Sequence, residues 1–128
     1  MKKELIFNTD LHFEHENWSR ELKFWIDELS SFQNRLDELV TRWTDKDVLA
    51  QVDKFQNKFT IQRDSFNEIE NQIEMHESNM ADHYMKNEDA MNKDLVKKHL
   101  AMRDRMEEQR NLFHGIKKDF FKFLTQYM

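Results

Sequence analysis

Apolar residues recur along this chain in alternating steps of three and four positions. The first run starts near residue 11 and continues for more than thirty residues without a break. Such spacing is the heptad signature of an amphipathic helix whose apolar stripe packs against partner helices. The run consists of Leu11, His15, Trp18, Leu22, Trp25, Leu29, Phe32, Leu36, Leu39 and Trp43.

Two further runs with the same spacing occupy the rest of the chain. The second consists of Val52, Phe55, Phe59, Gln62, Phe66, Ile69, Ile73, His76, Met80 and His83. The third consists of Leu95, His99, Met102, Met106, Gln109, Phe113, Ile116, Phe120, Phe123 and Tyr127. Three long stripes therefore predict three long helices.

The short polar segments between the runs predict turns. Asn8, Thr9 and Asp10 are candidate N-caps for the first helix. Residues 44–47 resemble a capping box that starts at Thr44, and the asparagines within 87–92 suit a helix exit and a new cap. Because short links join antiparallel neighbours, we predict an all-α, elongated, antiparallel three-helix bundle with coiled-coil-like heptad packing. It would form a single domain, with helices at about 10–44, 46–86 and 91–127.

Neither predicted turn contains glycine or proline, which leaves a second arrangement open. A helix that continued through the second turn would give a longer coiled-coil rod. Such a rod would complete its bundle by forming a dimer.

The composition narrows the classes of protein that the chain can represent. One glycine and no proline make a β architecture improbable, because hairpins and tight turns depend on those residues. The absence of cysteine excludes disulfides and thiolate metal sites. A net charge of −5, with acids and bases mixed throughout, argues against nucleic-acid binding. No apolar stretch approaches the roughly twenty residues of a membrane span, and we expect a cytoplasmic protein.

Charged residues flank the stripes in a complementary pattern. Glutamates flank the first two stripes, whereas lysines and arginines flank the third. This arrangement favours packing of the third helix against the other two. The flanking residues are Glu14, Glu21, Glu28, Glu70 and Glu77 on one side and Lys98, Arg103, Arg105, Arg110 and Lys117 on the other.

Four of the six histidines fall on stripe positions that should be buried: His15, His76, His83 and His99. A buried imidazole requires a proton, a hydrogen-bond partner or a metal ion. One hypothesis is a transition-metal site for Zn, Cu, Ni or Fe, or a haem site, at one end of the bundle. The alternatives are polar core layers that fix helix register and a pH-sensitive end of the bundle.

Counting residues from the predicted turns gives an expected position for each histidine. His15 and His76 should share a layer with Met102, and His99 should lie about one layer further out. His83 should lie near the mouth of the bundle, and His12 should lie beside the first stripe in the same zone. A shift of a few residues in either turn would separate these side chains.

Known catalytic and metal-binding motifs do not match the chain. No histidine has a glutamate three residues before it, as a ferritin-like di-iron site requires. His15-Glu16 and His76-Glu77 open like His-Glu-x-x-His, but Ser19 and Met80 occupy the final position. A single glycine cannot build an oxyanion loop or a phosphate cradle, so we expect no enzymatic activity.

Aromatic residues outside the stripes suggest contact with other proteins. Phe13 and Phe24 should lie three turns apart on one helix face, and Phe7 and Phe121 also fall outside the stripes. Our leading hypothesis is a non-enzymatic helical bundle that acts through protein-protein interaction or self-association, with no cofactor. The alternative is metal or haem binding by His15, His76, His83 and His99.

Overall fold

Three long helices make up the fold. The computed structural model describes residues 2–85 and 93–128, and the side chains of residues 11–82 and 94–128. The helices are α1 (Lys2–Arg42), α2 (Lys46–Met85) and α3 (Lys93–Tyr127), and these described ranges contain no strand. The predicted all-α, three-helix bundle is confirmed. No described helix offers an apolar stretch long enough to cross a membrane.

Contacts between helices define their relative directions. Phe32 of α1 contacts Phe59 of α2, and further along the same pair of helices His15 contacts Glu77. The residue numbers of the contacting partners fall along α1 as they rise along α2, so α1 and α2 are antiparallel. Between α1 and α3 the partners rise together with a constant difference of 89. The helices α1 and α3 are therefore parallel, which gives an up-down-up bundle.

The helix boundaries differ from the predicted ones in two places. Helix α1 begins at Lys2 rather than near residue 10, since the segment contains no glycine or proline that would stop a helix. At the first turn, the carboxylate of Asp45 accepts the backbone N–H groups of Asp47 at 2.8 Å and Val48 at 3.3 Å. Asp45 rather than Thr44 is thus the N-cap of α2. The second predicted turn lies outside the described residues.

Most of the buried residues belong to the three heptad runs, and Val48 extends the second run by one turn. Trp25, Phe66 and Phe113 form one aromatic layer, with ring centroids 5.1–5.9 Å apart. Burial of each large apolar side chain contributes roughly 1.5–3 kcal/mol to stability. The core therefore holds the bundle along its length and fixes which residues face inward.

Three ion pairs join α1 to α3 at heptad intervals. Arg103 bonds to Glu14, Arg110 to Glu21 and Lys117 to Glu28, at 2.5, 2.7 and 3.3 Å. The predicted match between an acidic first flank and a basic third flank is confirmed for these pairs. Because each partner recurs after seven residues, the pairs fix the register of α3 against α1.

The end of the bundle formed by the first turn is closed by aromatic residues. The indole N–H of Trp43 donates to the backbone carbonyl of Tyr127 at 3.0 Å, and the two rings meet edge to face. A Cβ at Gly115 would meet no atom within 4 Å, so close helix approach does not account for this glycine. The histidines lie toward the opposite end.

Candidate metal centre

Three histidines from three helices meet inside the bundle. His15 of α1, His76 of α2 and His99 of α3 have ring centroids 4.9–5.7 Å apart. Their exposed fractions are 1%, 3% and 0%, so the imidazoles belong to the core. Each histidine occupies a heptad position that faces the core, where an apolar side chain is usual.

The structure corrects the expected layering of these residues. His99 lies in the same cluster as His15 and His76, rather than one layer further out. The reason is the register of α3 along α2. His99 lies opposite His76, whereas Met102, about one helical turn further along α3, was expected there. Met102 nevertheless lines the same groove as His76. His83 belongs to α2, but its side chain lies outside the described residues.

Two carboxylates hold the outer nitrogens of the cluster. His15 donates its Nδ1–H to Glu77 at 2.5 Å, and His99 donates its Nε2–H to Glu14 at 2.9 Å. These hydrogen bonds fix the tautomer of both rings, because an ionised carboxylate can only accept. Carboxylates that hold the outer nitrogen of an imidazole are the usual second layer of a histidine metal site.

The inner nitrogens of the cluster face one another. With their outer nitrogens protonated, neutral His15 and His99 present lone pairs at Nε2 and Nδ1, which lie 3.0 Å apart. The Nε2 atom of His76 is buried and has no hydrogen-bond partner among the described residues. Two lone pairs at this distance repel each other, and a proton or a metal ion between them relieves the repulsion.

Burial keeps the imidazoles of the cluster neutral. It lowers the pKa of His15 and of His99, although the hydrogen bonds to Glu77 and Glu14 oppose the effect. Burial, reinforced by the two neighbouring imidazoles, lowers the pKa of His76 to about 4. Metal ions bind the neutral form of histidine, so these shifts favour a metal ion over protons near pH 7.

The surrounding carboxylates are themselves held in place. Burial alone would raise the pKa of Glu14, but hydrogen bonds from Arg103 and His99 outweigh it and lower that pKa. On the other side, the two ring nitrogens of His12 contact Glu77 and Glu16, at 3.0 Å each, and the pKa of His12 is raised chiefly by the Glu77 hydrogen bond. Glu14 and Glu77, together with the side chains that hydrogen-bond to them, thus enclose the cluster.

The indole of Trp18 packs against the cluster. It stacks on His99 with a centroid distance of 5.0 Å and an interplanar angle of 27°, and it also contacts His15 at 5.6 Å. This contact restricts the rotation of both imidazoles. A metal ligand that is already oriented loses less conformational entropy when the ion binds.

The spacing of the nitrogens suits a small metal ion. One ring nitrogen from each of the three histidines lies within 4.8 Å of the other two. Zinc–nitrogen bonds of about 2.0–2.1 Å in a tetrahedral site place two ligand nitrogens about 3.3 Å apart. The observed 3.0 Å between His15 and His99 is close to that value. Within the described side chains, no fourth histidine or carboxylate joins the group.

The sequence identified Glu14 and Glu77 as residues that flank the stripes, but not their partners in the cluster. Glu14 precedes His15 in the chain yet bonds to His99, and Glu77 follows His76 yet bonds to His15. Consecutive residues of a helix point about 100° apart, so a neighbour in sequence faces a different helix. The sequence feature that could have indicated these contacts is the position of Glu14 and Glu77 in the heptad pattern.

The off-stripe aromatics fall into two groups. Phe13 and Phe24 are exposed by 60% and 61%, whereas the ring of Phe121 packs edge to face against Phe32. The side chain of Phe7 lies outside the described residues. The chain matches no protein-family model, no curated protein and no solved structure.

Proposed function

We propose that this bundle binds a divalent transition-metal ion through His15, His76 and His99. The observation that supports the proposal most strongly is the convergence of three buried ring nitrogens within 4.8 Å, one from each helix. The outer nitrogens of His15 and His99 are already bonded to carboxylates. The inner nitrogens are therefore the ones left to bind an ion.

A proton accounts for the cluster less well than a metal ion. One proton between His15 and His99 relieves the repulsion of their facing lone pairs, but the Nε2 atom of His76 still lacks a partner. Burial also disfavours a charged imidazole in this position. A metal ion accepts all three lone pairs at once, and its ligands need no added proton.

Zinc is the ion that best suits this donor set. Three imidazoles plus one further ligand are a common zinc arrangement, and zinc has no geometric preference of its own. Copper, nickel and iron also bind imidazole and compete for such a site. A haem fits less well, because the three rings contact one another and leave no slot for a porphyrin between them.

The test is a zinc titration of chelator-treated protein at pH 7.5, followed by calorimetry. We expect one ion per chain for the wild type and at least a tenfold loss of affinity for His76→Leu. Glu77→Ala should weaken binding by about 10–100-fold, because it removes the carboxylate that orients His15.

The matched control is His12→Gln at the same end of the bundle. His12 contacts Glu77 but is mostly exposed and lies outside the cluster. Its replacement should change zinc affinity far less than His76→Leu does. Wild-type protein that binds no zinc, copper or nickel, or a His76→Leu variant with unchanged affinity, would overturn the proposal.

A second candidate function is self-association through α1. Phe13 and Phe24 are both more than half exposed and lie eleven residues apart, or about 16 Å along one face of the helix. Exposed aromatic pairs of this kind mark contact surfaces more often than other surface residues do.

Sedimentation equilibrium tests this second function. We expect the wild type to dimerise and the double variant Phe13→Ser, Phe24→Ser to remain monomeric. Phe121→Ser is the matched control, since Phe121 packs partly against Phe32 and lies on another helix. A wild type that stays monomeric at high concentration would contradict self-association.

A further inference from the structure

The groove between α2 and α3 extends from the surface to the histidine cluster at His76. Its volume is about 360 Å³, and His76 and Met102 contribute to its wall. The remaining lining residues are Gln72, Met75, Asn79, Lys98, Ala101 and Arg105. His76 is thus the member of the cluster nearest to this groove.

Among the described side chains, three histidines converge as metal ligands, one fewer than a tetrahedral ion requires. Glu14 and Glu77 are the carboxylates bonded to the cluster, and both already accept hydrogen bonds from the outer nitrogens of His99 and His15. Zinc sites with three protein ligands keep their fourth position for water or an external molecule. A position of this kind must be reachable from solvent.

The charge of the groove selects the external ligand. Its lining contains no carboxylate and two cations, Lys98 and Arg105, of which Arg105 pairs with Glu68 at 3.6 Å. A second groove, between α1 and α2, reaches His15, and its lining combines three carboxylates with two cations and His12. The carboxylates are those of Glu16, Glu74 and Glu77, and the cations are Arg20 and Lys23. An anion that approaches through the α2/α3 groove is attracted by the cations there, whereas one that approaches through the α1/α2 groove meets carboxylates.

We propose that the bound metal ion keeps an open coordination position toward the α2/α3 groove, where a small anion replaces water. This inference rests on the proposed metal-binding function. The apolar walls formed by Met75, Ala101 and Met102 favour weakly hydrated monovalent anions. A groove of this volume admits an anion of a few atoms, given that a water molecule occupies about 30 Å³.

The experiment uses the full chain loaded with Co²⁺, whose visible absorption reports its ligands. Azide and thiocyanate are added separately, and we expect a saturable change in the Co²⁺ bands. Lys98→Met should weaken anion affinity by roughly two- to fivefold, the range expected for one surface charge, without changing Co²⁺ affinity. Lys23→Met in the α1/α2 groove is the matched control and should have no effect.

The outcomes separate this inference from the proposed function. If the wild type acquires no Co²⁺ bands, metal binding itself is refuted. If the bands form but neither anion alters them, the ion binds without an open position and the present inference fails. It fails equally if Lys23→Met weakens anion binding as much as Lys98→Met does.

Discussion

Acidification of the metal-free protein should lower its free energy of unfolding, with a large share of the effect due to His76. This imidazole is 3% exposed, and burial lowers its pKa from 6.5 to about 4. At pH values between these two pKa values, the imidazole of His76 binds a proton in the unfolded chain but not in the folded chain. Stability therefore falls as the pH drops below 6.5, and the loss is complete below about 4.

The size of the effect follows from the two pKa values. The full shift corresponds to about 3 kcal/mol, and about 2 kcal/mol of it is lost by pH 5. His15 and His99 face His76 from α1 and α3, and their lowered pKa values act in the same direction. The raised pKa of His12 acts in the opposite direction. A variant at position 76 is needed to isolate one contribution.

The assay is urea unfolding at pH 7 and pH 5, in the presence of a chelator, for wild type and His76→Leu. The difference between the two pH values should be about 2 kcal/mol smaller in the variant. His114→Gln removes an exposed histidine of α3 and should leave the difference unchanged. An equal pH dependence in wild type and His76→Leu would show that His76 does not stay neutral in the folded protein.

Three further predictions concern the scaffold, and chemical denaturation measures each of them. Glu21→Gln breaks the partly exposed ion pair with Arg110 and should lower the free energy of unfolding by no more than about 1 kcal/mol. The decrease should be smaller in high salt, which screens the pair. A decrease of more than about 2 kcal/mol would contradict this expectation. Phe66→Ala should cost about 3–5 kcal/mol, because Phe66 is fully buried; a loss below 1 kcal/mol would contradict its packing. Trp43→Phe leaves the carbonyl of Tyr127 without its indole donor and should cost about 1 kcal/mol, whereas unchanged stability would refute that hydrogen bond.

The helices and their buried faces could be predicted from the sequence because they depend on a local period. Alternating steps of three and four positions identify the inward face of a helix whatever its partners are. His15, His76 and His99 were therefore predicted to be buried, and the structure places all three in the core. The acidic and basic flanks likewise predicted the pairs between α1 and α3, since they repeat with the same period.

The contacts within the cluster could not be predicted in the same way. They depend on how far one helix is shifted along another, and that shift is set by the turns and by packing over the whole bundle. Because the register of α3 differs from the predicted one by about one helical turn, His99 contacts His76. The start of α1 was missed for a related reason, because polar residues that often cap a helix also occur inside one.

An unpartnered polar atom in the core does not by itself indicate a ligand site. Gln62 is 3% exposed, and its Oε1 atom also lacks a partner among the described residues, as does Oε1 of Gln109. Each such atom costs about 1–3 kcal/mol, and the bundle tolerates the cost at those positions. His76 differs because one of its ring nitrogens lies within 4.8 Å of ring nitrogens of His15 and His99. Leucine at position 76 would fill the layer without an unpartnered atom, whereas histidine brings a third ring nitrogen to the cluster, and the proposed metal site rests on that convergence.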